Sequence, residues 1–444
     1  WMQYQSFYPW PTPNQRQIIF PMNGELGLLW TILWGGSDQF AGFVQWLAVP
    51  AIMLGIYGFA RLLEYPRTQA ALSALLWATV VQVRFQSHTT QNDLITASFW
   101  VALVYFFFQG LREESRAAFY FSGIAFGLAI GSKSTSLVML PGFALAVFLV
   151  ALKNFRNERF RAQVIRWVLS ASLGFLLLGS YIYIQNFVAF GYPLGPRAFS
   201  TNVIGIEGEE TIGTHLALLR DNLGRYIYQL VDFSTLPPGI VSVIQPIKKG
   251  FFSLIYNSLG ITVENQETIG IGRGKFNLDY INIFNADNSW FGPLLVFLIP
   301  AILAQTYQGA RRRDMLRLTL GIIPIAFLLL FSAAQDWTPA KGRYFAAPVA
   351  LAFPLIASIF EVRIFGRRLA GPILVLLGIM TLFFSSASGI YYSRDSDWKK
   401  VLLFRRDEPA WLNDFDYQML TQIIPENASI GLRGAGDFRD YPFF

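Results

Sequence analysis

The chain contains no cysteine and only two histidines, His88 and His215. Disulfides, thiolate metal sites and cysteine nucleophiles are thereby excluded, and little imidazole is left for a histidine-based metal centre. Charge is scarce as well. Only 14% of the 444 residues are charged, whereas soluble domains carry roughly a quarter. No secretory leader is visible, because the chain opens at Trp1 in a polar, aromatic, proline-rich stretch. Its end, Asp440-Tyr441-Pro442-Phe443-Phe444, reads as cut within a domain, so the natural protein is expected to continue beyond both ends.

What the sequence does have is apolar length. Hydrophobic residues make up 53% and aromatics 16%, the balance of an all-α polytopic membrane protein rather than a large soluble enzyme. The formal charge of +7 would suggest nucleic acid in a soluble protein. Here the excess Lys and Arg lies in short connections between apolar runs, so no nucleic-acid partner is expected. A membrane-crossing helix needs about 20 apolar residues, and shorter ones occur. Ten such runs are read at 41–61, 68–83, 93–110, 117–131, 134–152, 165–188, 290–308, 316–334, 343–361 and 369–388. The apolar stretch 117–152 is too long for one crossing, so it must fold back at Gly131-Ser132-Lys133-Ser134.

The connections alternate in charge. One set carries Arg61/Arg67, Arg112/Arg116, Lys153/Arg156/Arg159/Arg161/Arg166, Arg311/Arg312/Arg313/Arg317 and Arg363/Arg367/Arg368. With ten spans all of these share one side, which the bias of Lys and Arg makes cytoplasmic. The division that follows is 1–40, the end of a first outer loop; 41–188, six spans; 189–289, a long outer loop with amphipathic helices; 290–388, four spans; and 389–444, an outer soluble domain expected to be incomplete. Residues 22–34 are apolar but short, which fits an interfacial helix with Trp30 and Trp34 at headgroup level. Leu216, Leu219, Leu223, Ile227 and Leu230 recur at helical spacing and predict a second amphipathic helix. The Gly- and Glu-rich stretches 202–214 and 264–274 suit a substrate lid.

Two motifs lead nowhere. Gly270-Ile271-Gly272-Arg273-Gly274-Lys275 has the wrong glycine spacing for a nucleotide loop, and Phe276 follows the lysine. Asn427-Ala428-Ser429 has the form of a glycosylation acceptor, a triplet common by chance.

The chemistry on offer collects on the outer side. Lys133 sits there in a tight turn, where a cation is costly unless an anion meets it. The plain alternative is a lysine that snorkels to the interface. The hydroxyls of Ser132 and Ser134, and the start of the next helix, make this a plausible phosphate site. Asp93 opens a span after His88-Thr89-Thr90-Gln91-Asn92; it serves as a helix N-cap, as a functional carboxylate, or as both, since the two are compatible. Glu25 lies on the interfacial helix, as a solvated first-turn acid or a functional one. Lys341 and Arg343 add two cations before Tyr344, with Asp336 as the ordinary ion-pair partner. Asp287 and His88 stand where a substrate would pass, and Trp290 and Phe291 read as an aromatic belt.

These residues resemble the polyprenyl-phosphate-dependent glycosyltransferases of the GT-C fold, in the branch with protein O-mannosyltransferases and lipid A aminoarabinose transferases. Gly127-Leu128-Ala129-Ile130-Gly131-Ser132-Lys133 is similar to that group's Gly-Leu…Thr-Lys-Gly turn, with Ser132 for threonine and Ser134 for glycine. Gln91-Asn92-Asp93-Leu94 resembles the acidic start of the span after the second outer loop. Arg343-Tyr344 resembles the Arg-Tyr before a late span, and Phe20-Pro21 through Glu25 resembles the end of the first outer loop. The resemblance implies a multi-pass protein of the plasma membrane (the bacterial inner membrane), active on its outer face. Its partners would be a polyprenyl-phosphate sugar and an acceptor protein, lipid or glycan. Lys133, with Ser132, Ser134, Arg343, Tyr344 and Lys341, would hold the donor phosphate, and Asp93 and Glu25 would act as carboxylates. It implies no cofactor and no required metal. It also places the principal base, an aspartate, upstream of Trp1. Two other readings stand beside it: a non-catalytic membrane subunit of a larger complex, and a lipid or sugar transporter.

Overall fold

The computed structural model describes residues 16–154, 156–196, 212–261, 263, 276–279, 286–335, 337–363 and 368–391. The chain separates into one compact unit at Ile19–Ser385 and a second made of the two chain ends. Of that second unit only the turn of helix at Arg16–Ile19 and the last turns of the final helix are described. Among the described residues all regular structure is helical. The expected segments 1–15, 270–275 and 392–444, with Asp336 and the side chain of His215, lie outside the described residues.

Each of the ten apolar runs coincides with helix. After the short α1 (Arg16–Ile19) and the expected interfacial helix α2 (Asn23–Gly35) come α3 (Phe43–Leu62), α4 (Arg67–Thr79) and α5 (Val81–Gln86). There follow α6 (Asp93–Glu113), α7 (Arg116–Ile130), α8 (Ser136–Asn154), α9 (Glu158–Gly174), a π-helical turn at Phe175–Gly179, and α10 (Tyr181–Phe190). The second half holds α11 (Ile212–Leu230), α12 (Pro238–Leu259), α13 (Leu294–Arg312), α14 (Met315–Ala334), α15 (Ala346–Ala352) and α16 (Ala370–Tyr391). Among the described residues six helical stretches are long and apolar enough to cross a membrane: Asp38–Leu62, Asp93–Glu113, Ser136–Asn154, Glu158–Gly179, Met315–Ala334 and Pro339–Glu361. The apolar helices at Arg116–Ile130 and Ala370–Ser385 are shorter. The run expected at 68–83 is broken at Val80, whose ψ of 132° is extended and divides α4 from α5. Helix α13 ends in Arg311 and Arg312 and falls outside the six.

Two packing devices fix the helices around the fold-back at residue 131. The first is close contact. Helices α7 and α9 pack along a small-residue seam, in which a Cβ on Gly127 would lie 2.0 Å from the Gly174 carbonyl oxygen. In lipid, where hydrophobicity does not drive helices together, such close approach supplies the association energy. The second is aromatic. Trp100, Phe107, Phe143 and Trp167 meet edge to face and join α6, α8 and α9. Each such pair contributes about 0.5–1.5 kcal/mol beyond its burial. The indole N–H groups are satisfied within the cluster: Trp100 donates to Ser136 Oγ at 3.2 Å and Trp167 to Ser122 Oγ at 2.9 Å.

On the long loop, α11 appears as its spacing predicts and packs on α14. Asn222 donates to the Ser332 and Gln335 carbonyls at the end of α14, 3.2 Å from each. Helix α12 lies in the loop expected to carry amphipathic helices, although the sequence reading sets no bounds for it. Its buried Lys248, Phe252 and Tyr256 turn toward α11, where the Tyr256 hydroxyl donates to the Gly224 carbonyl at 2.6 Å.

Candidate functional site

The turn after α7 is held from several directions. A helix leaves its last carbonyls without intrahelical partners, and here other elements supply them. The Ser136 hydroxyl donates to the Ala129 carbonyl at 2.8 Å, and the Tyr183 hydroxyl to Ile130 at 2.9 Å. The Asn23 backbone N–H donates to Gly131 at 2.9 Å, and Asn92 Nδ2 to Ser132 at 3.1 Å. Asn23 also reaches the π-helical turn, where its Nδ2 donates to the Leu178 carbonyl at 2.7 Å. Residues from α2, α10, the 87–92 loop and α8 thus converge on the four residues 129–132. Gly131 is required there, since a Cβ would fall 2.2 Å from Asn23 Nδ2.

Lys133 leaves this turn toward α6 and the start of the Pro339–Glu361 stretch. The sequence presents it as a cation without an anion; the structure corrects that, because Lys133 Nζ donates to Asp93 Oδ1. The lysine side chain is 16% exposed and the aspartate 2%. Asp93 is the first residue of α6 and makes no capping bond to the helix N-terminus, so the N-cap alternative does not hold. Its other oxygen, Oδ2, is buried without a hydrogen-bond partner.

Tyr344 is the centre of the cations. Lys133 Nζ lies 4.9 Å from its ring centroid, Lys341 Nζ 5.4 Å and Arg343 Cζ 5.3 Å. A ring face attracts cations by its quadrupole. It also keeps three like charges together in a place where their repulsion would otherwise part them. Lys341 is further held by the Gln335 side chain. Arg343 pairs with Asp287 at 2.9 Å, so Asp287 serves an arginine rather than standing free. Gln91 Nε2 donates to the same Asp287 oxygen at 2.6 Å and joins the 87–92 loop to the cation group.

Glu25 reaches the group through Asn92, whose Nδ2 donates to Glu25 Oε1 at 2.8 Å. Burial raises its carboxyl above the ordinary glutamate value, with its own backbone hydrogen bond, Lys133 and Asn92 acting in the opposite direction. It is therefore not the solvated first-turn acid of the plain reading. Glu25 Oε2 and Arg343 Nε, like Asp93 Oδ2, are buried without hydrogen-bond partners. Three orphaned polar atoms in one region need an explanation, since such groups are few in folded proteins.

A cleft lies over the pair. It is lined by Asp93, Thr96, Lys133, Thr135, Ser136, Met139, Phe327, Arg343, Tyr344 and Ala347, and encloses about 10 Å³, room for about one water molecule. Of the residues expected from sequence, Asp93, Lys133, Arg343 and Tyr344 line it, and Glu25, Lys341 and Asp287 adjoin it through the contacts above. Ser132 does not line it, because its hydroxyl turns back to the Leu128 carbonyl at 2.6 Å. Ser134 is absent from the lining, and the serine and threonine hydroxyls there are those of Thr96, Thr135 and Ser136, of which Thr96 donates to the Asn92 carbonyl and Ser136 to Ala129. His88 is exposed, with Nδ1 3.0 Å from the Arg84 carbonyl, and does not line the cleft. Thr96 was legible as the next residue along the Asp93 face of α6. Nothing in the sequence marks Phe327. Among the described residues no cluster of three His, Asp or Glu side chains is arranged to hold a metal ion.

Comparison with known proteins adds the fold and part of the lineage. No curated protein matches the chain. The apo oligosaccharyltransferase of Archaeoglobus fulgidus superposes with a TM-score of 0.51 at 16% identity, covering 98% of this chain and 55% of that one. The same enzyme with Zn and sulfate gives 0.49 at 16%, covering 98% and 52%. With an inhibitory peptide and a dolichol-phosphate it gives 0.46 at 18%, covering 98% and 54%. The chain thus spans about half the length of the solved structures it matches, and the apo likeness establishes a shared GT-C helical architecture and nothing finer. Residues 26–183, which contain both Asp93 and Lys133, match the family described as dolichyl-phosphate-mannose-protein mannosyltransferase, in agreement with the resemblance read from the turn at Lys133.

Proposed function

We propose that this chain is the membrane part of a glycosyltransferase that moves a sugar from a polyprenyl-phosphate donor to an acceptor on the outer face, with inversion. The observation that carries the proposal is the half-buried group in which Lys133, Lys341 and Arg343 surround Tyr344 beside the buried Asp93. Of the charged side chains that line the cleft, Lys133 and Arg343 face Asp93 alone, which leaves net positive charge there. A phosphate would balance it and would satisfy Arg343 Nε.

In this reading the donor phosphate sits on Lys133 and Arg343, with the hydroxyl of Thr135 as a further donor. A carboxylate takes the proton of the acceptor hydroxyl or amine. The acceptor attacks the anomeric carbon as the bond to the phosphate oxygen breaks. The electron pair passes to the leaving polyprenyl phosphate, whose growing charge the preorganised cations stabilise. Asp93 and Glu25 are the carboxylates of this cleft. The net charge makes no demand for nucleotide, and the lysine and arginine do the neutralising that a divalent ion would otherwise do.

The test is turnover of a polyprenyl-phosphate sugar by Lys133→Ala in detergent or nanodiscs. Removing one preorganised donor from a developing oxyanion typically costs on the order of 10²–10³ in rate. Transfer is expected to fall by at least that much while thermal unfolding stays cooperative. Normal turnover in this variant would end the reading.

A further inference from the structure

The cation proposed to bind the phosphate already has a ligand. Lys133 Nζ is hydrogen bonded to Asp93 Oδ1 inside the cleft, and Asp93 is 2% exposed. Asp93 Oδ2 has no hydrogen-bond partner, so the carboxylate is hydrogen bonded through Lys133, with Arg343 as a further cation acting on it through charge. An ammonium has three donors and can serve a second oxygen in principle. The obstacle is charge. A phosphate oxygen within reach of Lys133 would stand about 5 Å from the Asp93 oxygens. At an effective dielectric of about 20, two unit charges at that distance repel by roughly 3 kcal/mol, and a dianion by more. Phosphate and Asp93 therefore compete for the same lysine.

We propose that Asp93 is an internal ligand of Lys133 that the incoming phosphate displaces, so that a filled donor site frees the carboxylate for the acceptor. The inference rests on the function proposed above and adds an order of events to it. While the site is empty, Asp93 is held by Lys133 and is a poor base and a poor acceptor ligand. When the phosphate takes the lysine, Asp93 is left with two unshared oxygens, beside Glu25 and at the start of α6. No covalent bond or proton changes hands in the exchange; Lys133 stays protonated and Asp93 ionised, and only the hydrogen bond moves. The arrangement withholds the carboxylate from acceptors, water included, until a donor is present. Asp93 thus acts on phosphate affinity through Lys133 and on turnover directly, with opposite signs.

The opposite signs make the test. Binding of farnesyl phosphate to the purified full chain is measured by calorimetry for the wild type, Asp93→Asn and Lys133→Ala. Coupling energies between linked events are typically 1–3 kcal/mol, so Asp93→Asn is expected to bind at least about fivefold tighter while losing transfer. Unchanged or weaker binding by Asp93→Asn overturns the displacement. Loss of binding in Lys133→Ala is expected in either case, and its absence would overturn the phosphate site itself, so the two failures are distinguishable. Inorganic phosphate run in competition separates the sources: equal potency with farnesyl phosphate would assign the cleft to free phosphate and overturn the donor role. If Asp93→Asn fails to fold, difference infrared spectroscopy of the wild type gives the same decision. Adding farnesyl phosphate should shift a carboxylate stretching band as the ion pair opens, and a difference spectrum without a carboxylate band overturns the proposal.

Discussion

At the scale of single residues, the cleft is a problem in burying charge. Ions removed from water are tolerated when paired and hydrogen bonded, and here Lys133–Asp93 and Arg343–Asp287 are so arranged. Glu25 is the exception, since one oxygen is held by Asn92 and the other is orphaned. Its carboxyl is raised by burial, so the folded protein holds the proton more tightly than the unfolded chain. The stabilising contribution is complete below the unfolded value near 4.5 and is lost as pH rises through the higher folded value. Glu25→Gln removes that dependence. Thermal melts should show the variant gaining on the wild type as pH rises from 4 toward neutrality, and a constant difference would mean the carboxyl is not desolvated. The sequence named Glu25, Asp93, Lys133, Arg343 and Tyr344 because each is a polar residue at the mouth of an apolar run. Their pairing was not legible. Asp93 and Lys133 are forty residues apart, and no local spacing rule connects an outer loop to a fold-back two helices later.

At the scale of elements, the fold-back after α7 is fixed by what packs behind it. Asn23 joins three parts of the chain: its N–H caps Gly131, and its side chain takes the Leu178 carbonyl that the π-helical turn presents. π-turns of this kind occur often at functional sites. Asn23→Ala removes the side-chain bond, a loss of about 1 kcal/mol. It should lower transfer out of proportion to that small loss of stability, because Lys133 is aimed by the turn. The measurement is kcat beside the melting temperature; a fall in melting temperature with normal kcat would leave Asn23 a structural residue only. The glycine seam makes a harsher demand. Gly127→Leu would force α7 and α9 apart against backbone, and overpacking costs typically 1–3 kcal/mol. That variant should unfold at lower temperature and lose transfer together. The Gly-Leu-Ala-Ile-Gly segment was readable in sequence as a turn signature. The partner surface of α9 was not, since Ser170 and Gly174 lie in a segment marked only by its apolar length.

At the scale of the whole molecule, the alternation of basic loops sets the span count. Among the described residues six helical stretches satisfy the length and polarity of a crossing; we propose that α4–α5, α7, α13 and α16 complete ten, because only an even pattern of crossings keeps every Arg-rich connection on one side. The broken helix α4 packs against protein, with Trp77 fully buried against Phe353. A backbone break such as that at Val80 is tolerated at membrane depth when neighbours cover it. The lack of cysteine makes the sidedness directly measurable. Thr90 and Glu158 are both exposed and lie on connections assigned to opposite faces. Single Thr90→Cys and Glu158→Cys variants in sealed, right-side-out vesicles should differ with a membrane-impermeant maleimide. Thr90→Cys should react at once, and Glu158→Cys only after the membrane is opened. Reaction of both from the same side would remove a span from the count, reverse the placement of every loop beyond it, and separate the Lys133 turn from the Arg343 cations that meet it in the cleft.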